Sequence, residues 1–233
     1  MRIAAAALLL LLLSGCGSPA TPPTVSATVK QVNSPQPPYS ATLHLPQLAW
    51  PGHTAVADKV NAAVDAWAAD EVAGFGEGVA QDLANAKNMP ASLPQSSLTV
   101  TYQTAQTTAT VVSFHFLVEP YVRGAAHPSQ TPAGLTFNLK DGSAYTLDGL
   151  FKPGYSATLV QAAGKGLASW TPAGAHCYLG KAPTNLGTWW LSPSGLVLAY
   201  PAGVYTASYC GPPTVTVPSA QLKRMALPGS PLA

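Results

Sequence analysis

The chain has 233 residues and a near-neutral balance of 11 basic against 9 acidic side chains, and only 9% of its residues are charged. Nucleic acid is excluded as a partner, because no basic run or stripe is available to track a phosphate backbone. The length suffices for one domain, or two intimately packed halves, behind a targeting segment.

Residues 1–15 read as a signal peptide. Arg2 is followed by an unbroken apolar run from Ile3 to Leu13, the pattern of a secretory signal and too short for the ~20 residues that cross a bilayer. Leu13-Ser14-Gly15-Cys16 resembles the lipobox of bacterial lipoproteins. The resemblance implies cleavage before Cys16, acylation of Cys16 (palmitate among the acyl groups), and a lipid-anchored protein on the extracytoplasmic face of the cell membrane. Two or more acyl chains hold a protein stably where one is marginal. Residues 16–38 read as a Pro/Thr-rich tether, with Pro19, Pro22, Pro23, Pro35, Pro37 and Pro38 and no apolar periodicity.

The folded part is expected from residue 39 to 226. Ser40 to Leu45 alternates as a strand. A helix opens at Pro51, with Val56, Val60, Val64 and Trp67 on one face. Gly74, Gly76 and Gly78 are expected to break it before a second helical stretch to Ala86. Ser97–Gln103 and Thr108–Tyr121 read as a long hairpin. Leu135–Leu139 and Ser143–Leu147 flank a turn at Lys140-Asp141-Gly142 and open a C-terminal half, about 135–226. A helix over Tyr155–Trp170 follows. Next come a hairpin of Thr188–Leu191 and Leu196–Tyr200, a strand at Thr214–Val217, and a short helix carrying Leu222. Residues 227–233 read as a frayed tail. The class is α+β: two packed halves of mostly antiparallel sheet with helices on one face.

Removing Cys16 from the odd cysteine count leaves Cys177 and Cys210, which an oxidising envelope allows to pair as a disulfide. A reactive thiol or metal pair is the competing reading, with His176 the one nearby ligand. His44, His53 and His176 are isolated from one another in sequence and read as surface or packing. No zinc signature or Gly-x-Ser-x-Gly elbow is present, and Ser194 sits in a hairpin turn. The sequence calls for no metal and no cofactor. The candidate catalytic residues are His115, Glu119, Arg123 and His127. His115 and Glu119 share a strand face, and the Gly124 turn brings His127 back towards them, which suits either a small acid–base site or a structural turn with an ion pair. The candidate binding residues are Trp189 and Trp190, of which one faces outward unless both sheet faces are covered, and Tyr205 and Tyr209 in the aromatic segment that the disulfide would rigidify.

One set of segments resembles a known family. These are Pro46-Gln47-Leu48 with Val60-Asn61, Gly124-Ala125-Ala126-His127-Pro128, and Phe137 to Gly142 leading into Tyr145 to Phe151. Gly195-Leu196-Val197, Tyr209-Cys210-Gly211-Pro212 and Val215 to Pro218 with Leu222 complete it. Their order is similar to the extracytoplasmic domain of RsiV-type anti-sigma factors, which sense lysozyme. That domain also occurs beside peptidoglycan deacetylases and in secreted mycobacterial immunogens. The resemblance implies an α+β envelope protein that binds something rather than a defined enzyme, with cell-wall glycan or a lysozyme-like protein as partner. No cytoplasmic segment and membrane span precede the domain here, so signal transfer to a sigma factor is not expected. The sequence-level expectation is therefore a non-catalytic binding module for an envelope or host ligand. The alternatives are an envelope hydrolase, either an esterase or a cell-wall glycan modifier, and a structural component with no dissociable ligand.

Overall fold

The computed structural model describes residues 22–85, 92–172 and 177–233. The signal peptide, Cys16 and His176 lie outside them. The fold is α+β, with a five-stranded sheet and a three-stranded sheet.

The chain enters as a hairpin of β1 (Thr24–Pro35) and β2 (Pro38–Ala49), paired antiparallel over their whole length. Most of the expected tether is therefore strand. Its side chains are too polar to read as core. At a sheet edge, though, a strand needs only one apolar contact every few residues, and Pro is tolerated there. Val25 and Val32 supply those contacts. Lys30 reaches over the edge to Asp65 of the following helix at 2.7 Å, an exposed pair that adds little stability.

Tyr39, Ala41, Leu43 and Leu45 alternate inward along β2. They meet α1 (Thr54–Asn85), which buries Ala57, Val60, Val64, Ala68, Gly76 and Val79 at helical spacing. This crossover delivers β3 (Ser96–Thr107) parallel to β2, the arrangement that a connecting helix makes possible. Antiparallel β4 (Val111–Tyr121) and β5 (Thr131–Asn138) complete the order β1-β2-β3-β4-β5. The glycine cluster does not break α1. A Cβ at Gly76 would stand 3.1 Å from Tyr39 Cε1, so the helix accepts the ~1 kcal/mol cost of a mid-helix glycine to let the ring lie against its backbone. Asn61 adds a clasp. Its Oδ1 accepts from Leu48 N at 2.8 Å and its Nδ2 donates to Leu48 O at 2.9 Å, satisfying the end of β2 beyond its pairing with β3.

The expected hairpin around Lys140-Asp141-Gly142 is a single bridge, Phe137 to Ala144. Asp141 Oδ1 accepts from both Ser143 N (2.9 Å) and Ser143 Oγ (2.7 Å), which tightens the turn and holds the carboxyl below its usual range. Thr146 then caps a short helix, α2 (Leu147–Leu150), by accepting from Gly149 N, and the second strand ends there. The C-terminal half therefore begins after β5, not at 135.

α3 (Tyr155–Ala168) precedes the second sheet of β6 (Thr188–Ser192), β7 (Gly195–Ala199) and β8 (Thr214–Pro218). α4 (Ser219–Leu222) follows. Leu159, Ala163 and Leu167 of α3 pack with Leu196, Leu198, Val217 and Leu222 into a second core. The segment expected to fray joins it: Leu227 N donates to Leu150 O at 2.9 Å, and Leu232 is buried.

The halves meet where β6 crosses the helix-free face of the first sheet. The backbone of Trp189 lies so close to Gly134 of β5 that an added Cβ would overlap the Trp189 carbonyl. Beneath it, Ser113 Oγ pairs with Thr136 Oγ1 at 2.7 Å and accepts from Leu191 N at 3.0 Å, all buried.

Candidate functional site

Cys177 and Cys210 form a disulfide with Cα atoms 6.1 Å apart. Around it, Leu179 N donates to Tyr205 O and Ala207 N to Cys177 O, each at 2.9 Å. The linked segments, bridged at Tyr178 and Thr206, hold a 3-10 turn, Ser208–Cys210, whose Tyr209 is 82% exposed. An aromatic this exposed, on backbone this constrained, offers a contact surface at low ordering cost.

Tyr209 overhangs a cleft of about 360 Å³ at the seam of the halves, lined also by Glu119, His127, Gln130 and Ser208. Glu119 comes from the end of β4. The following turn folds back through Ser129 N, which donates to Pro120 O, and Gln130 O accepts from Ala202 N of the C-terminal half. Gln130 Nε2 donates to Glu119 Oε1 at 2.9 Å and holds that carboxylate in the wall. His127 Nδ1 lies 2.8 Å from Pro128 O. In the tautomer that donates to this carbonyl, Nε2 is left as the basic nitrogen.

Two of the four candidate catalytic residues, Glu119 and His127, thus share one cleft, and the other two lie elsewhere. The backbone N–H of Arg123 donates to Ser96 Oγ at 3.0 Å, and its side chain does not line the cleft. His115 is on the Glu119 face but stacks on Trp190, with ring centroids 4.2 Å apart and an interplanar angle of 15°. Burial there lowers its pKa below the ordinary histidine value. Trp190 is therefore a packing residue. With Val197, Ala199 and Ala105 it fills the space between the sheets. Trp189 faces the other way and is partly buried against the second core. The Trp190 face of β6 is covered, by the first sheet rather than by helices, while Trp189 keeps part of its ring exposed. Tyr205, expected at a binding surface, is instead buried edge-on to Tyr200, centroids 4.9 Å apart. Burial, and secondarily the charge of a nearby ionised Tyr205, push the Tyr200 hydroxyl up to about 12.

Sequence reasoning missed Gln130 and Ser208. Neither carries a motif; the β4–β5 turn brings Gln130 to Glu119, and the return of the chain at Ala202 brings Ser208. Among the described residues no three His, Cys, Asp or Glu side chains group as metal ligands, and no helix is long and apolar enough to cross a membrane.

No family model matches the chain, and no curated protein is similar to it in sequence. The fold is more informative. It is similar to a crystal structure of a DUF3298 family protein from Bacteroides fragilis, with a TM-score of 0.60 at 13% identity over 90% of this chain and 96% of that one. A second, from Pseudomonas aeruginosa, has a TM-score of 0.57 at 13% identity over 90% and 95%. The chain has the fold of DUF3298 proteins. At this identity the likeness is one of fold, over nine-tenths of this chain.

Proposed function

We propose that this chain is an extracytoplasmic binding module, anchored at the cell membrane through Cys16, that holds an envelope or host ligand in the Tyr209 cleft without transforming it. The observation that carries the reading is Tyr209 itself: a large, exposed ring on a disulfide-pinned turn, above a carboxylate, an amide and an imidazole. An aromatic with hydrogen-bonding groups around it is the composition of a recognition hot spot for protein or glycan. The DUF3298 fold accords with the RsiV-type resemblance, which supports lysozyme-like proteins and cell-wall glycan as the partners to try. β1 begins at Thr24, eight residues beyond Cys16, so an acylated Cys16 would keep the domain within about 30 Å of the lipid surface, at ~3.3–3.6 Å per residue.

The test is saturable binding of soluble muropeptides or of lysozyme to the purified chain. Tyr209→Ala is expected to weaken that binding about tenfold or more with an unchanged melting temperature, because an exposed ring contributes little to folding. Binding unaffected by both Tyr209→Ala and Glu119→Gln would remove the cleft from the account. Cys16→Ala is expected to release the protein from the membrane fraction.

A hydrolase is the second reading, favoured by the presence of His127, Glu119, Ser129 and Ser208 around one cleft. Against it, His127 Nδ1 is engaged by a carbonyl rather than by Glu119, so no carboxylate orients the imidazole as in a catalytic triad. Turnover of generic esters, abolished by Ser208→Ala or His127→Ala, would establish this reading over the first.

A further inference from the structure

A second cleft, of about 290 Å³, opens on the other side of β6, between β5, α2, the start of α3 and Trp189. Three aromatic rings, Trp189, Tyr145 and Tyr155, line it. Each is only partly buried, with its apolar body packed on the second core and the remainder turned to the cleft. The polar groups are fixed. Tyr155 Oη donates to Asp148 Oδ1 at 2.8 Å, which leaves the second oxygen of an exposed carboxylate to accept. Thr146 Oγ1 accepts from Gly149 N as the cap of α2, which leaves its hydroxyl proton to donate. No Lys or Arg lines the cleft, and Asp148 is its one charge.

We infer that this cleft is a saccharide subsite that takes one neutral sugar residue. A pyranose presents a C–H face that stacks on aromatic rings and an edge of hydroxyls that donate to a carboxylate and accept from a hydroxyl. Both kinds of partner are here, in fixed positions. The size, about 290 Å³, is just below the roughly 300–1,000 Å³ of small-molecule sites, which suits one residue of a chain rather than an enclosed oligosaccharide. The lone anion disfavours phosphorylated or acidic sugars. It also makes the site one of recognition: glycoside cleavage calls for a pair of carboxyl groups about 5–10 Å apart, and the lining supplies one. The inference does not rest on the Tyr209 cleft, which lies at a different part of the seam and shares no lining residue with it.

The full chain is titrated with two neutral probes, the N-acetylglucosamine trimer and maltotriose, followed by calorimetry and by tryptophan fluorescence. At least one is expected to bind saturably in the millimolar range or tighter and to perturb the emission. Asp148→Ala, at an exposed position, is expected to weaken that binding about tenfold while the protein remains folded. Tyr155→Phe, which keeps the ring and loses the hydroxyl that fixes Asp148, should give an intermediate loss. Trp189→Ala is expected to abolish binding but also removes a packing ring, so Asp148→Ala decides. No binding of either probe, or binding indifferent to Asp148→Ala, overturns the inference. Binding lost with Tyr209→Ala but kept in Asp148→Ala overturns it and supports the first cleft instead.

Discussion

Replacing Gly134 by alanine tests whether the two halves are one unit. The new Cβ would overlap the Trp189 carbonyl oxygen, stand 2.8 Å from the Trp189 carbonyl carbon and 3.3 Å from Trp190 Cβ. These are mostly backbone atoms, which cannot swing aside as a side-chain tip would. Ordinary contact requires β6 to retreat from β5 by over an ångström. The Leu191 N to Ser113 Oγ bond, 3.0 Å long and buried, does not survive that retreat. Its loss costs about 1–3 kcal/mol, and the overpacking about 1–3 kcal/mol more, with overlap because relieving one causes the other. A net 2–4 kcal/mol corresponds to a fall in Tm of about 4–16 °C for a domain of this size. Differential scanning calorimetry reads it directly, and a single transition shifting as a whole is expected. A Gly134→Ala protein that melts within a degree of the parent would refute the account of the seam. A variant that melts in two steps, one unshifted, would show that the halves fold independently.

Asn61→Ala removes both bonds to Leu48. The residue is only partly buried, so water replaces some of the loss, and a destabilisation of about 1–3 kcal/mol is expected, read as a lower urea midpoint at unchanged slope. The disulfide closes a loop with a sequence separation of 33, for which chain entropy predicts ~3–4 kcal/mol; an identical Tm for the Cys177→Ser, Cys210→Ser double variant would contradict it. His115 supplies a pH signature. Its folded pKa lies below the ordinary 6.5 because burial against Trp190 disfavours the imidazolium. Below pH 6.5 the unfolded chain therefore binds the proton first. Stability is fully present above that pH and is lost as pH falls through the folded value. The Tm of the parent should drop more between about pH 7.5 and about pH 5.5 than that of His115→Gln, and equal drops would show that the histidine is not desolvated.

Local pattern made much of this molecule legible. The alternation of β2 and β4, the periodicity of α3, the β6–β7 hairpin and the α+β class follow from side chains that bury one face at period two or 3.6. Cysteine count pointed to the Cys177–Cys210 pair. Local pattern also misled where its rule was correct but incomplete. Ser26 to Ser34 has no apolar stripe, yet it is a strand because β2 offers it a complete edge to pair with. Gly74 and Gly78 weaken a helix that the sheet beneath it holds together. Leu232 looked like the end of a tail because the core it joins is built largely by residues far away in the chain, such as Leu150 and Leu159.

The clefts belong wholly to tertiary structure. Glu119, His127 and Gln130 come together at the β4–β5 turn, but their union with Tyr209 depends on the contact between halves marked by the Ala202 to Gln130 bond. Trp189 and Trp190 look equivalent in sequence. Only the approach of β6 to Gly134 decides that Trp190 is sealed between sheets while Trp189 lines a cleft. The sequence by itself determined the class and those elements whose period is written in their own residues, such as β2, β4 and α3. The structure decided which surfaces face each other, because that depends on backbone contacts between segments whose sequences carry no mark of their neighbour.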